Sequence, residues 1–346
     1  MTTPGWAAAL GLAGPAGRAR TGIEVRDRDL DVAVRAGLES VESMLRDAVK
    51  SDYPFVTETS RHLVDAGGKR FRPLLVLLAS QFADAGAPGI VPAAVAIELT
   101  HLSTLYHDDV MDEALMRRGA QSANSRWDNT VAILTGDFLF ARASEITADL
   151  GTEATRILAR TIAVLCEGQI RETVGPLEGQ DPIQHYLRVV AEKTGSLIAT
   201  SGHLGAQLSG ADAATVETLT RYGERIGVAF QLSDDLLDVA SETVQSGKTP
   251  GTDLREGVRT MPVLYALDPA AAPDPRLAEL LAGSLTDDAA LTEALSRLRG
   301  HPAMALAAET LSTWAEDARS ALAPLPDIPA KAALAALCDF VVARTG

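Results

Sequence analysis

Apolar positions return at three- and four-residue steps along nearly the whole chain, which is the spacing of amphipathic helices. "VAVRAGLESVESMLRDAV" predicts a helix over 28–49, and a second over 54–66 stops at the helix-ending pair Gly67-Gly68. "RPLLVLLASQFAD" (72–84) restarts with Pro73 placed for a first turn, and it is apolar almost all round, so it predicts a deeply buried helix. A long helix follows over 92–114. Further helices are predicted over 127–149, 152–174, 181–208, 212–240, 260–268, 275–299, 302–323 and 329–344. No segment alternates convincingly as a strand does, and the one long polar loop is "SETVQSGKTPGTDLREGVRT" (241–260), with a more irregular last third from Pro269. No solenoid repeat and no linker divides the chain. The expectation is an all-α protein: a tail over 1–24, then one large helical bundle over 25–346.

Composition supports this. Of 346 residues, 47% are hydrophobic but only 4% aromatic, so the core is built of Ala, Leu and Val, and Ala and Leu are strong helix formers. Lys and Arg total 31 against 46 Asp and Glu, a net charge of −15, which argues against a nucleic-acid partner. Cys166 and Cys338 form no disulfide framework or metal-like spacing; both sit among apolar neighbours and read as core residues of a protein in a reducing cytoplasm. No run reaches the ~18 apolar residues of a membrane span, and "WAAALGLAG" is too short and lacks the basic flank of a signal peptide.

The chemistry lies in "LYHDDVMDEALMRRG" (105–119). On a helix Asp108 and Asp112 share a face, where like charges repel by a few tenths of a kcal/mol unless a cation lies between them. "FQLSDDLLDV" repeats the D-D-x-x-D spacing with Asp234, Asp235 and Asp238. A single such stretch would read as a solvated acidic face. Two, each inside an apolar helix, ask for hard cations, and all-oxygen ligands suit Mg²⁺, which completes its shell with substrate phosphates. Arg117 and Arg118 then meet the remaining negative charge of a diphosphate. "GGKRFRP" adds Lys69, Arg70 and Arg72 after two glycines; with Arg117 and Arg118 it suggests a second, metal-free phosphate site. His101 lies on the face of Asp108, two turns earlier, and is expected beside that site.

At this point the chain resembles the all-trans isoprenyl (polyprenyl) diphosphate synthases over nearly all its length after the tail. The resemblance rests on "GGKRFRP", "HDDVMDEALMRRG", "GDFLF", "EGQIRE", "EKTGSL", "FQLSDDLLD" and "SGKTPGTDLREG", in that order. One departure is visible: after Arg118-Gly119 the family often continues Pro-Thr, whereas this chain reads "AQSAN". The resemblance implies the isoprenyl synthase fold with a central apolar cavity. It also implies head-to-tail condensation of isopentenyl diphosphate with an allylic diphosphate, by ionisation, coupling and elimination. It assigns Asp108, Asp112 and Asp234 as direct Mg²⁺ ligands, with Asp109, Asp235 and Asp238 as ligands or their supports. Three ions are expected with substrate bound. Arg117, Lys193 and Lys248 would contact the allylic diphosphate, and Lys69, Arg72, His101 and Arg118 the isopentenyl diphosphate. Thr194 and Gln231 would lie near the developing cation, and the released diphosphate would take the proton. A homodimer and peripheral membrane contact for product release are also implied.

Other readings differ in class. A class I terpene cyclase would carry an Asn/Asp-Ser/Thr-Glu second motif instead of "DDLLD", and would not need "GGKRFRP". A regulatory subunit of a heterodimeric synthase could lose an aspartate motif, and this chain keeps both. Product length is read from Ser103 and Thr104, five and four residues before Asp108. They lie one turn deeper, roughly 5–6 Å further from the metal than Asp108, where short-chain members place rings; the small side chains here predict a long product, about C30 to C50, rather than geranylgeranyl diphosphate.

Overall fold

The structure, a computed structural model, describes residues 27–241, 250–268 and 273–344. The predicted tail and Lys248 lie outside the described residues. The chain forms an all-α fold that divides into two compact units. The first collects the described part of Met1–Val164 with Ser196–Gly223 and Ala321–Leu337, and the second Leu165–Gly195, Glu224–Ser320 and the described part of Cys338–Gly346.

In the first unit, α1 (Arg28–Ala48) starts where the Asp27 carboxylate accepts from the Asp29 and Leu30 amides, and it buries the stripe Val34, Val41, Leu45. The next helix, α2 (Pro54–Asp65), has proline in its first turn and is followed by Gly67 and Gly68, both at positive φ. Helix α3 (Phe71–Ser80) buries every residue except Arg72. It begins two residues before Pro73 and ends four residues short of the expected stop. Helix α4 (Ile90–Met111) is also buried almost all round. The predicted 92–114 helix thus starts earlier and stops before Asp112, whose amide still bonds the Asp108 carbonyl at 2.8 Å.

Two short strands that the hydrophobic pattern could not show follow: β1 (Met116–Arg117) and β2 (Ala120–Gln121), antiparallel with Arg117 opposite Ala120. Arg118 and Gly119 turn between them at φ 54° and 76°, the two positive values of a tight hairpin turn. After the single turn α5 (Ala123–Arg126), α6 (Asn129–Leu150) is capped by Asp128 and packs along α4. Gly136 permits that approach, since a Cβ there would collide with His107 Nε2. Helix α7 (Thr152–Val174) gives its first half to this unit, and α9 (Ser196–Leu208) packs on α3 through Gly205.

In the second unit α8 (Pro182–Val190), capped by Asp181, runs into a π-helical turn over Ala191–Gly195, so the predicted 181–208 helix is not uniform. Helix α10 (Ala213–Ala240) supplies its later turns here. The predicted long loop contains α11 (Thr252–Glu256), followed by α12 (Met261–Leu267). The predicted 275–299 helix is two, α13 (Pro275–Ala282) and α14 (Asp288–Arg299), because Gly283 closes one and the Asp287 carboxylate caps the other. Leu254, Val263, Leu277, Leu291 and Leu298 knit these pieces into one apolar cluster. Helices α15 (Ala303–Ala321) and α16 (Pro329–Ala343) complete the fold. Cys338 is buried as expected, but Cys166 is exposed: its position falls on the outward side of α7. Among the described residues no helix is long and apolar enough to cross a membrane.

Gly205 tests the close packing. A Cβ there would collide with the Val76 carbonyl oxygen, which is backbone and has little room to yield. Gly205→Ala is expected to destabilise the chain by about 1–3 kcal/mol in urea unfolding; unchanged stability would contradict this packing.

Candidate active site

The first aspartate motif closes α4. Tyr106, fully buried, fixes the helix end: its hydroxyl donates to the Thr59 carbonyl at 2.5 Å and accepts the Leu63 amide at 3.2 Å. From that anchored turn the three aspartates diverge. Asp109 points inward with no exposed surface, and its Oδ1 accepts from Arg117 Nε at 2.6 Å. Its Oδ2 is buried with no hydrogen-bond partner. Burial pushes its pKa up, and Arg117 works against that rise. Asp108 is half-buried and Asp112 exposed, with Arg117 Nη2 3.9 Å from the Asp112 carboxylate.

The basic cluster is built on the turn between α2 and α3. Arg70 takes a left-handed conformation, φ 48°, which turns Lys69 to the exterior and leaves Arg72 half-buried in the first turn of α3. Arg70 itself is buried. It pairs with Glu42 and, at 2.9 Å, with the buried Glu98 of α4. Arg118 donates to the Gly67 carbonyl and, at 3.3 Å, to that of Leu63. Gly68 lies against it at φ 151°, a backbone conformation that side chains rarely adopt, and a Cβ would come within 2.8 Å of the Arg118 guanidinium. His101 has its pKa driven well below the ordinary 6.5, first by burial and then by Arg72, Arg118, Arg70 and Arg117. Arg72, Arg117 and Arg118 thus share one electrostatic neighbourhood with His101. Ser103, one turn deeper on α4, is fully buried and donates to the Gly136 carbonyl at 2.8 Å; Thr104 is half-buried and bonds within its own helix.

The second motif, on α10, is braced the same way. Asp235 is the inward member: it accepts from Gln231 Nε2 at 2.9 Å and from the Tyr186 hydroxyl. Thr194 donates to Gln231 at 3.2 Å, so Thr194, Gln231, Asp235 and Tyr186 form one chain. Burial, with Asp235 beside it, raises the Tyr186 pKa well above 10. Asp234 is partly exposed and pairs with Arg344 Nη2 at 2.8 Å. Asp238 accepts the Thr252 and Asp253 amides at 3.2 and 3.1 Å, capping α11. Lys193 lies in the π turn, 2.6 Å from Glu172 on α7. The turn fits against α7 because Gly168 has no side chain; a Cβ there would meet Glu192 and the Lys193 amide at 2.9 Å.

Glu172 closes the motif "EGQIRE"; Tyr186, Glu98 and Arg344 also belong to these arrangements and were not singled out from the sequence. Each of these three is an isolated residue in an ordinary helical pattern, linked to a motif only through the tertiary fold. Among the described residues no group of three His, Cys, Asp or Glu side chains closes on a single metal position.

Residues 53–298 match the family model described as polyprenyl synthetase. A nonaprenyl diphosphate synthase of Mycobacterium tuberculosis is 50% identical over 94% of this chain and 97% of its own length. A solved geranylgeranyl pyrophosphate synthase of Corynebacterium glutamicum, complexed with calcium and isoprenyl diphosphate, aligns with a TM-score of 0.81 at 43% identity, over 92% of this chain and 98% of that one. A polyprenyl synthase of Caulobacter crescentus gives 0.84 at 33% identity, over 95% and 100%. Fold and motifs therefore define an all-α trans-prenyltransferase that elongates an all-trans prenyl chain. The chain belongs to the polyprenyl synthetase family.

His101, half-buried beside these arginines, has a pH signature. Its folded pKa lies below 6.5, so below that pH the unfolded chain takes up a proton that the folded chain refuses. The stability is full above pH 6.5 and lost as pH falls. His101→Asn removes this term, so the wild type should lose stability relative to the variant between pH 7.5 and 5.5 in urea unfolding. Parallel curves would show that His101 titrates normally.

Proposed function

We propose that this chain condenses isopentenyl diphosphate head-to-tail with an allylic diphosphate in a magnesium-dependent reaction, repeated to give a long all-trans product. The observation that carries the reading is the common bracing of the two aspartate motifs, with the second carboxylate of each turned inward and the first left at the edge. On the family resemblance we assign Asp108, Asp112 and Asp234, the last paired with Arg344 in this structure, as metal ligands, with Asp109 and Asp235 as their supports and Asp238 capping α11.

The donor set fits Mg²⁺. It is all carboxylate oxygen, with Asp108 half-buried, Asp112 exposed and Asp234 partly exposed, and Mg²⁺ takes few protein ligands and completes its shell from diphosphate and water. When bound, the metal supplies Lewis-acid stabilisation of the leaving diphosphate. Lys193, Lys248 and Arg117 hold the allylic diphosphate, with Glu172 and Asp109 fixing Lys193 and Arg117. Lys69, Arg72, His101 and Arg118 hold isopentenyl diphosphate without metal; His101, kept neutral, contributes a hydrogen bond and not a charge. Thr194 and Gln231 turn oxygen dipoles toward the allylic cation, stabilising it without a nucleophilic charge. The apolar interior excludes water that would trap the cation. The released diphosphate takes the proton. We assign a single catalytic domain, a cytoplasmic homodimer, and peripheral contact with a membrane as the product leaves.

Long product is favoured by the small residues at 103 and 104 and by the nonaprenyl synthase at 50% identity. The geranylgeranyl synthase at 43% identity supports the shorter alternative. Incubation of the purified chain alone with Mg²⁺, labelled isopentenyl diphosphate and allylic primers tests the reading: elongated product supports it, a cyclised hydrocarbon or no product refutes it.

Two variants refine it. Asp108→Asn and Asp234→Asn are each expected to lower turnover by about two orders of magnitude or more, the scale of losing several kcal/mol of leaving-group stabilisation. Near-normal turnover with unchanged helix content would remove these residues from the metal site. Thr104→Phe is expected to shorten the product while preserving the first condensations; Ser103, packed against Gly136, tolerates a ring less well. An unchanged product length would place the cavity floor elsewhere.

A further inference from the structure

Glu98 is an acidic residue buried at the centre of a basic cluster, on α4, with 2% of its surface exposed. Its Oε1 accepts from Arg70 Nη1 at 2.9 Å and stands 3.9 Å from Arg118 Nη2. Arg70 spends its other donors on Glu42 and on the carbonyls of Val64 and Gly67. It therefore caps the end of α2 and fixes the turn that presents Lys69 and Arg72. Arg118 bonds Gly67 and Leu63, two carbonyls of that same segment. A single carboxylate thus ties two guanidinium groups to one turn of backbone. The pKa values carry the same mark: burial works against the charge of both arginines, and Glu98 is the largest opposing influence on each.

We propose that Glu98 is the positioning residue of the metal-free diphosphate site, holding Arg118 and the Lys69–Arg72 turn in the geometry that receives isopentenyl diphosphate. This rests on the assignment of that site above. Two effects of removing the charge oppose each other. An anion nearby would feel one negative charge fewer and bind more tightly. Against that, Arg118 would face Arg70 and Arg72 without the Glu98 carboxylate while Arg70 kept its pairing with Glu42, and none of the three can shed a proton. The repulsion is relieved by movement, and Arg118, at 17% side-chain exposure against 6% for Arg70, is the one with room to leave. Losing the fixed fork outweighs the gain, because bidentate anion recognition depends on a preset guanidinium plane.

The test is calorimetric titration of isopentenyl diphosphate into the full chain in excess EDTA, with steady-state kinetics alongside. Glu98→Gln keeps the shape and loses the charge. It is expected to weaken metal-free binding about tenfold, the scale of one charge-assisted hydrogen bond. The KM for isopentenyl diphosphate should rise to match, with the allylic KM within about twofold of wild type. Glu98→Asp, the second variant should the amide not fold, keeps the charge but draws it back by one methylene, and is expected to weaken binding by about threefold on the same scale. Glu42→Gln removes the other carboxylate from Arg70 and makes no ion pair with Arg118; it should lower the melting temperature and weaken isopentenyl diphosphate binding less than Glu98→Gln does. Unchanged or tighter binding in a folded Glu98 variant overturns the proposal, as does an equal rise in both KM values. If the wild type itself binds no isopentenyl diphosphate in EDTA, it is the assignment of a metal-free site that fails.

Discussion

A carboxylate taken out of water must be answered by a cation or by donors, and the motif regions of both units are arranged around that requirement. The chain carries a charge of −15, yet its acidic motifs lie on helices that also build the core. Each motif resolves the conflict alike. Asp109 and Asp235, the second aspartates, are buried and held by Arg117 and by Gln231 with Tyr186. With those charges answered inside, the first aspartates can remain at the edge. The named donors differ: the Arg117 guanidinium at Asp109, and the Gln231 amide with the Tyr186 phenol at Asp235.

Most helices were legible because burial here follows the period of the helix, and Gly67-Gly68, Pro54 and the capping aspartates mark ends with local chemistry. Where local chemistry competed with periodicity, the ends moved. The 275–299 stretch keeps its apolar period across Gly283 and Asp287, so the break comes from a cap that pattern matching passes over. The hairpin at 116–121 is two residues per strand, too short for alternation to register, and only Arg118-Gly119 hints at it. The exposure of Cys166 has the same origin: apolar neighbours in sequence do not decide which side of a helix a residue occupies.

The site was legible in its charged residues and hidden in what holds them. Lys69, Arg72, Asp108 and Asp234 stand in dense polar strings that an apolar chain makes conspicuous. Glu98 stands alone in "IELTH", and Tyr186 alone in "HYLRVV"; nothing within four residues of either announces a partner. Arg344 meets Asp234 across more than a hundred positions of sequence. A local signal cannot encode such pairs, because both partners are ordinary until the helices pack.

The π turn at Ala191–Gly195 shows how backbone geometry completes what those side chains begin. On a regular α-helix neighbouring side chains are set a fixed 100° apart, which constrains how consecutive residues serve separate helices. Here consecutive residues do so: Lys193 reaches Glu172 on α7 and Thr194 reaches Gln231 on α10. The wider turn changes the register locally, and it can lie against α7 because Gly168 leaves space for the Lys193 amide. Glu192 then anchors the turn through Arg171 and Arg188. Burial works to raise its pKa, but the two guanidinium groups outweigh that and hold its carboxyl below the usual range. The glycine in "EGQIRE" and the irregular turn in "EKTGSL" are therefore one structural device. Substituting either part disturbs the other, although more than twenty residues of chain separate them.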